Sequence, residues 1–254
     1  MKNNSKRISR RPDGRRANQL RPVSIETGVL KFPMGSVLIK AGDTHVLCAA
    51  SVEDGVPEFL AGKGQGWVTA EYEMMPASTP RRKRRASSVG RLDGRSQEIR
   101  RLIGRSLRTA VDMKRLGERT IWLDCDVIQA DGGTRTLAVT GAWVALALAI
   151  QKLCDQKTVR LNPLRAQVAA VSVGIVEGRC LLDLCYAEDV AAEVDMNVVR
   201  TREGTYIEIQ GTAENAPFDD DQLNDLLRLA KRGCGQLLRA QSAALKGASR
   251  RRGA

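Results

Sequence analysis

The chain has 254 residues, a formal net charge of +12 at pH 7 and a single histidine, His45. This length is enough to bury a core, as one large domain or two small ones. One histidine excludes a His-based catalytic triad and a multi-histidine metal site. No run of about 18 apolar residues is present, and the basic N-terminus has no apolar stretch behind it, so the sequence predicts neither a membrane span nor a secretory signal.

The six cysteines are scattered and form no CxxC pair, so they indicate neither a zinc site nor redox chemistry. They are Cys48, Cys125, Cys154, Cys180, Cys185 and Cys234. Most stand in apolar patterns, which predicts reduced core thiols and a cytoplasmic location.

The positive charge is concentrated in three segments, 1–22, 81–108 and 246–254, while the rest of the chain is net acidic. Such segregation is typical of a surface that binds a polyanion. For the two terminal segments, basic tails that only improve solubility are the alternative.

The N-terminal part begins with residues 1–22, which we expect to be largely flexible, with residues 1–10 as a basic tail. Alternating apolar residues predict a hairpin from strands at 35–40 and 44–51. Residues 66–74 read as a further strand.

A long polar loop is predicted for residues 76–94. It contains five consecutive cations, which we call the basic loop: Arg81, Arg82, Lys83, Arg84 and Arg85. A loop of this length in a compact domain is usually functional or disordered. Few aromatic residues interleave it, so it would bind phosphates rather than stack on bases.

Ser96 is the predicted N-cap of a helix, because apolar residues follow it at helical spacing from Ile99 to Val111. Arg95 stands beside this helix start, where the backbone dipole favours an anion. The other arginines of the segment are interpreted as solvated or structural.

The central stretch combines a strand at 121–128, a Gly-Gly turn and a helix that is apolar nearly all round from Thr140. A helix with so little polar surface is predicted to be buried. The turn, at or near the helix N-terminus, carries Gly133, Thr134 and Arg135, which together suit a phosphate. By composition alone, an ordinary turn is an equal alternative.

The second half repeats this outline. A hairpin is predicted from 168–176 and 180–186, followed by strands at 196–200 and 205–210 and a last helix capped by Asp219. Each half thus runs hairpin, further strand, helix, which predicts an α+β fold from a duplicated unit.

Five carboxylates fall within a short stretch of this half: Asp183, Glu188, Asp189, Glu193 and Asp195. Carboxylates with phosphate oxygens suit Mg²⁺. A solvated acidic loop is the alternative. Phosphate-binding cations, a hard-metal site and a basic track together suggest phosphoryl transfer on a nucleic acid.

These motifs, taken in order, resemble those of the ribonuclease PH family of phosphate-dependent 3′ exoribonucleases. The residues that carry the resemblance include RPDGRRANQLRPV, GRSQEIRRLIGRSLR, DCDVIQADGGTRT, EDVAAEVDMNVV and IEIQGTAE. The match runs from about Arg11 to about Ala244. It implies one catalytic domain at 11–245, built of two similar halves of the duplicated βαβ type, with 246–254 as a basic tail.

The resemblance implies that inorganic phosphate attacks the last 3′ phosphodiester of a tRNA precursor and releases a nucleoside 5′-diphosphate. It assigns the phosphate to Arg95, Gly133, Thr134 and Arg135. It assigns Mg²⁺ and general-acid roles to Asp189 and Asp195, although three other acids are near them in sequence.

The resemblance further implies a homohexameric ring in which the basic loop guides RNA, with no membrane partner. A non-catalytic RNA-binding ring subunit of the same fold is the alternative. Pro80 stands where a histidine is expected, and the basic loop is more basic than the family pattern.

Overall fold

The computed structural model describes residues 11–85, 88, 90, 93–214 and 217–252. The strands are β1 Val23–Thr27, β2 Gly35–Ala41, β3 Thr44–Asp54, β4 Trp67–Met74, β5 Arg119–Gln129, β6 Val168–Val176, β7 Arg179–Leu182, β8 Val194–Thr201 and β9 Tyr206–Ala213. The α-helices are α1 Gly94–Thr109, α2 Met113–Leu116, α3 Thr134–Asp155, α4 Tyr186–Ala191 and α5 Asp220–Arg252. A short 3₁₀-helix covers Glu58–Leu60. The α+β class is confirmed.

The strands form two sheets, one from each half of the chain. The first has the order β1-β2-β3-β5-β4, and the second has the order β7-β6-β8-β9. All pairs are antiparallel except β4 and β5, which run parallel and are joined through α1. The predicted hairpins and later strands are therefore present, whereas β1 was not predicted.

Helix α3 lies between the two sheets and packs on β2 and β3 of the first sheet and β6 of the second. Seventeen of its 22 residues are buried, as its all-round apolar pattern predicted. By length and composition it could cross a membrane, contrary to the expectation from sequence, but 83% of its apolar window is buried inside the protein. Its burial between sheets makes it the core helix of the fold.

Helix α3 packs so closely on β2 that two positions leave no room for a side chain. A Cβ atom built on Gly35 would lie 2.1 Å from the carbonyl oxygen of Ala145. Similarly, a Cβ on Gly141 would lie 2.6 Å from Ile39. The close approach fixes α3 on the sheet and thereby the position of its N-terminus.

Two predicted boundaries are corrected. Helix α1 is capped by Asp93 rather than Ser96, because the Asp93 carboxylate accepts the Ser96 backbone N–H at 2.6 Å. The strand predicted to reach residue 186 ends at Leu182, since Asp183 has a positive φ of 58° and the chain then turns into α4. This turn matters for the site because it faces the Gly-Gly turn before α3.

The terminal segments differ in how far the structure describes them. Residues 11–22 were expected to be flexible, but they are packed against the rest of the chain, because Arg11, Arg15 and Arg21 are all buried. Residues 1–10 lie outside the described residues. Helix α5 continues to Arg252, and Leu245 and Ala248 pack against the main core.

Candidate functional site

The Gly-Gly turn connects β5 to the N-terminus of α3, where the first amides of a helix lack intrahelical partners. Gly132 and Gly133 both have positive φ, of 70° and 65°, and Gly133 is the N-cap residue. A Cβ on Gly132 would lie 2.6 Å from the carbonyl oxygen of Leu184. Only glycine fits this conformation and this contact, and a glycine N-cap leaves the helix amides free to bind an anion.

Thr134 and Arg135, in the first turn of α3, are held by residues from other elements. The Tyr72 hydroxyl donates to Thr134 Oγ1 at 2.9 Å in a buried contact. Arg135 Nη1 donates to Glu98 Oε1 at 3.2 Å and to Gln210 Oε1 at 3.0 Å. The guanidinium of Arg135 is therefore oriented between α1 and β9 before any ligand binds.

Arg95 lies in the first turn of α1 and lines a cavity of about 670 Å³ at the end of the turn. The cavity is lined by Met74, Thr79, Pro80, Arg81, Lys83, Arg95, Ala130, Asp131, Gly132, Thr134, Tyr186 and Asp189. Two helix N-termini and several cations thus face one space, which also holds a carboxylate. The arrangement suits an anion bound beside a protonatable or metal-binding group.

The remaining cations of the basic loop are less closely associated with this cavity. Arg82, Arg84 and Arg85 do not line it, while Lys83 also lies 3.7 Å from the carboxylate of Asp93. Burial raises the pKa of Asp126 on the outer face of the first sheet, and Arg85 opposes that rise. Of the five cations in the basic loop, Arg81 and Lys83 are therefore the two that line the cavity at the predicted phosphate site.

Asp189 and Asp195 lie within electrostatic reach of both Arg95 and Arg135. Burial raises the pKa of Asp189, and the two arginines oppose that rise. Burial, followed by repulsion from Asp189, raises the pKa of Asp195 to about 6. Two arginines and two carboxylates therefore interact electrostatically with one another. Such perturbed pKa values are typical of sites that combine anion binding with acid–base chemistry.

The other three acids of the cluster are already bound within the protein. Glu188 receives hydrogen bonds from Arg11, Asp183 receives them from Arg21, and Glu193 accepts the Gly178 N–H. Asp195 is different, because its Oδ1 atom is buried and has no hydrogen-bond partner among the described residues. Among the five acids that the sequence offers, these contacts favour Asp189 and Asp195 as the candidates for a role in the site.

Comparison with known proteins identifies the family. Residues 19–150 match domain 1 of the 3′ exoribonuclease family, and residues 166–233 match domain 2. The chain belongs to the 3′ exoribonuclease family. It is 56% identical over 237 residues to ribonuclease PH of Solibacter usitatus, covering 93% of this chain and all of that protein.

Solved structures of this exoribonuclease fold align over most of the chain. Rrp46 of rice (Oryza sativa) aligns with a TM-score of 0.74 at 20% identity, covering 92% of this chain and all of that one. A chain of the Archaeoglobus fulgidus exosome, solved with RNA bound to the active site, aligns with a TM-score of 0.74 at 21% identity, covering 90% and 91%. At these identities the likeness concerns the fold alone.

Arg21 is a site residue of this exoribonuclease that sequence reasoning missed. Its Nη2 and Nε atoms bind the Asp183 carboxylate at 2.7 and 3.0 Å. The same guanidinium donates to the carbonyl oxygens of Asp131 and Gly132 in the turn before α3. A segment read as flexible therefore supplies the side chain that holds the turn predicted to bind phosphate. Its only signal in the sequence was its place in the motif RPDGRRANQLRPV.

Replacing Arg21 by Lys should raise the KM for phosphate about tenfold and leave the KM for RNA nearly unchanged. Lysine keeps the charge but cannot bind the carboxylate and two carbonyls together. Arg15→Lys is the matched control, because Arg15 is also buried and binds Asp183 but does not contact the turn. Steady-state kinetics with each substrate varied in turn tests this, and equal phosphate KM values for the two variants would contradict it.

Replacing Asp195 by Asn should stabilise the chelator-treated protein by about 1–3 kcal/mol at pH 8 while removing activity. The folded-state pKa of about 6 lies above the ordinary value of 3.8 for an aspartate. Ionisation therefore costs folding free energy, a cost that grows as pH rises from 3.8 to about 6. Denaturant titrations at pH 4.5 and pH 8 should show the increase in the free energy of unfolding mainly at pH 8. The control is Asp43→Asn, which replaces an exposed carboxylate in a turn and should not change the free energy of unfolding at either pH. A gain independent of pH would refute the assignment.

Proposed function

We propose that the chain is a phosphate-dependent 3′-to-5′ exoribonuclease that trims the 3′ ends of tRNA precursors and releases nucleoside 5′-diphosphates. The observation that carries the proposal is that Arg95, Thr134 and Asp189 line one cavity, beside the N-cap Gly133, and that Asp189 and Asp195 both interact electrostatically with Arg95 and Arg135. Orthophosphate needs a cationic cradle, and the departing RNA 3′ oxygen needs a proton. Both requirements are met by these residues.

The reaction exchanges one phosphorus–oxygen bond for another. An oxygen of orthophosphate, oriented by the two arginines and the α3 amides, attacks the last phosphodiester phosphorus. The bond from that phosphorus to the 3′ oxygen of the preceding nucleotide breaks, and this oxygen takes up a proton. Asp195 is suited to supply it, because its raised pKa keeps part of the population protonated near neutral pH. The reverse reaction adds a nucleotide and releases phosphate.

A magnesium ion fits the same carboxylates. Mg²⁺ is usually held by one or two carboxylates with phosphate oxygens and water. Asp189 and Asp195 would hold it here, although the described residues contain no cluster of three or more metal-binding side chains. The unpartnered Oδ1 atom of Asp195 provides a ligand atom. When bound, the ion would neutralise charge on the reacting phosphates.

We also propose a homohexamer, a ring of three dimers, and a cytoplasmic location. The basis for assembly is that the similar Archaeoglobus fulgidus chain comes from an exosome and that this chain exposes large apolar residues. Phe32 is 90% exposed and Val190 is 67% exposed. All six cysteines are free thiols, in keeping with a reducing compartment.

The decisive experiment is incubation of the purified protein with a 3′-extended tRNA, Mg²⁺ and phosphate. Release of nucleoside diphosphates that requires phosphate supports the proposal. Trimming that proceeds equally without phosphate would contradict it. RNA binding with no product would favour the alternative, a non-catalytic RNA-binding ring subunit, against which the intact Arg95 and Arg135 argue.

Replacing Arg95 or Arg135 by Ala should raise the KM for phosphate by about 10- to 150-fold, the equivalent of roughly 1.5–3 kcal/mol for a charge-assisted contact. RNA affinity should change little. Neutralising the basic loop should do the reverse and weaken RNA binding in a salt-dependent manner. Kinetics and RNA titrations at several salt concentrations test this, and equal losses of RNA affinity in both sets would show that the two sites are not separate.

A further inference from the structure

A cavity of about 730 Å³ lies between α5 and the turn that joins β8 to β9. We call it the basic groove. It is lined by Arg202, Gly235, Leu238, Arg239, Ser242, Ala243 and Lys246. Six of these residues lie on one face of α5, at helical spacing, and Arg202 faces them from the turn. Three of the lining residues are cations and none is an acid.

Arg202 is held at the edge of the basic groove by a buried glutamine. Gln167 is 9% exposed. Its carbonyl oxygen accepts the Arg202 backbone N–H at 2.9 Å, and its Oε1 accepts from Arg202 Nη1 at 3.2 Å. Gln167 Nε2 donates in turn to the Leu238 carbonyl oxygen at 2.7 Å. The network joins the turn to α5, so the groove has a defined shape rather than two independent walls.

Along most of its length, the charged side chains of helix α5 are all positive. No carboxylate occurs in the sequence after Asp225. Arg228 forms an ion pair with Asp225, at 2.6 Å. In contrast, Arg202, Arg239 and Lys246 form no ion pair with any residue that the structure describes. Their charges are therefore not neutralised within the described part of the chain.

The helix dipole does not account for these cations. A cation near a helix C-terminus is stabilised by the dipole, but the effect falls off within the last turn. Helix α5 ends at Arg252, so Arg239 lies more than three turns before its end. Arg202 is not part of the helix. Three unpaired cations around one cavity are better explained by an anionic ligand.

We propose that the basic groove binds the phosphate backbone of RNA upstream of the 3′ end that is being processed. The choice of RNA rests on the proposed function. Strand β8 runs from Val194 to Thr201, so Arg202 lies about 20 Å from Asp195. An RNA whose 3′ end lies at Asp195 could reach the basic groove with nucleotides farther upstream. A trinucleotide is too short to contact both Asp195 and the groove. The lining contains no aromatic side chain, so the contact would be to phosphates and independent of sequence.

The test compares the triple variant Arg202→Gln, Arg239→Gln, Lys246→Gln with the unmodified protein. Its affinity for a 3′-extended tRNA should fall about tenfold at low salt. The slope of log affinity against log salt concentration should become shallower by about 2, since each phosphate contact contributes 0.7–0.9. The KM values for phosphate and for a trinucleotide should not change. A double variant, Arg239→Gln with Lys246→Gln, spares the Gln167 network and should give part of the same loss.

The matched control removes three exposed lysines elsewhere, Lys63, Lys114 and Lys157. Equal losses of tRNA affinity in the control and the triple variant would overturn the proposal, as would an unchanged salt slope in both groove variants. Preferential binding of the unmodified protein to anionic lipid vesicles over tRNA would also overturn it. Failure of the proposed function is distinguishable, because it would abolish phosphate-dependent release in the unmodified protein while leaving these binding measurements valid.

Discussion

The ion pair between Arg21 and Asp183 is the interaction on which the site depends. It joins three distant parts of the chain: the N-terminal segment, the turn after β7 and the turn before α3. Removing two charges from water is costly, and their attraction compensates only when the remaining donors and acceptors are also bound. Here they are, because Arg21 also donates to Thr44 and to both carbonyls of the Gly-Gly turn. The pair therefore fixes the turn, and with it the free amides at the start of α3.

The same buried network explains why neighbouring carboxylates differ in chemistry. Glu188 is matched by two hydrogen bonds from Arg11, and these keep its pKa below the usual value against the effect of burial. Burial raises the pKa of Asp195 and repulsion from Asp189 adds to the rise, which its 3.3 Å hydrogen bond from Asn197 does not offset. Paired acids stay ionised and hold the fold, whereas the under-paired acid remains able to exchange a proton. The difference lies in which arginines reach each residue.

Much of the fold could be predicted from sequence because its signals are local. The alternation in β5 and the apolar composition of α3 gave their type and burial, and the glycines before Thr134 indicated the turn. The role of residues 11–22 could not be predicted in this way. Arg11, Arg15 and Arg21 look like solvated cations in sequence, since their partners lie more than 160 positions away. Composition alone could not sort the five acids for the same reason, and only the family resemblance pointed to Asp189 and Asp195.

The exposed cations differ from these buried arginines in how their charges are paired. Among the described residues, Arg202, Arg239 and Lys246 form no ion pair, and in the basic loop only Lys83 lies within 4 Å of a carboxylate, that of Asp93 at 3.7 Å. The basic loop reaches the cavity beside the Gly-Gly turn through Arg81 and Lys83, and the basic groove lies at the end of β8 opposite to Asp195. An enzyme that removes single nucleotides must release its product yet retain the shortened RNA for the next cycle. Contacts confined to the last phosphodiester would be lost at every step. Sequence-independent contacts farther along the backbone persist while the RNA advances by one nucleotide, so the separation of the two clusters suits repeated trimming.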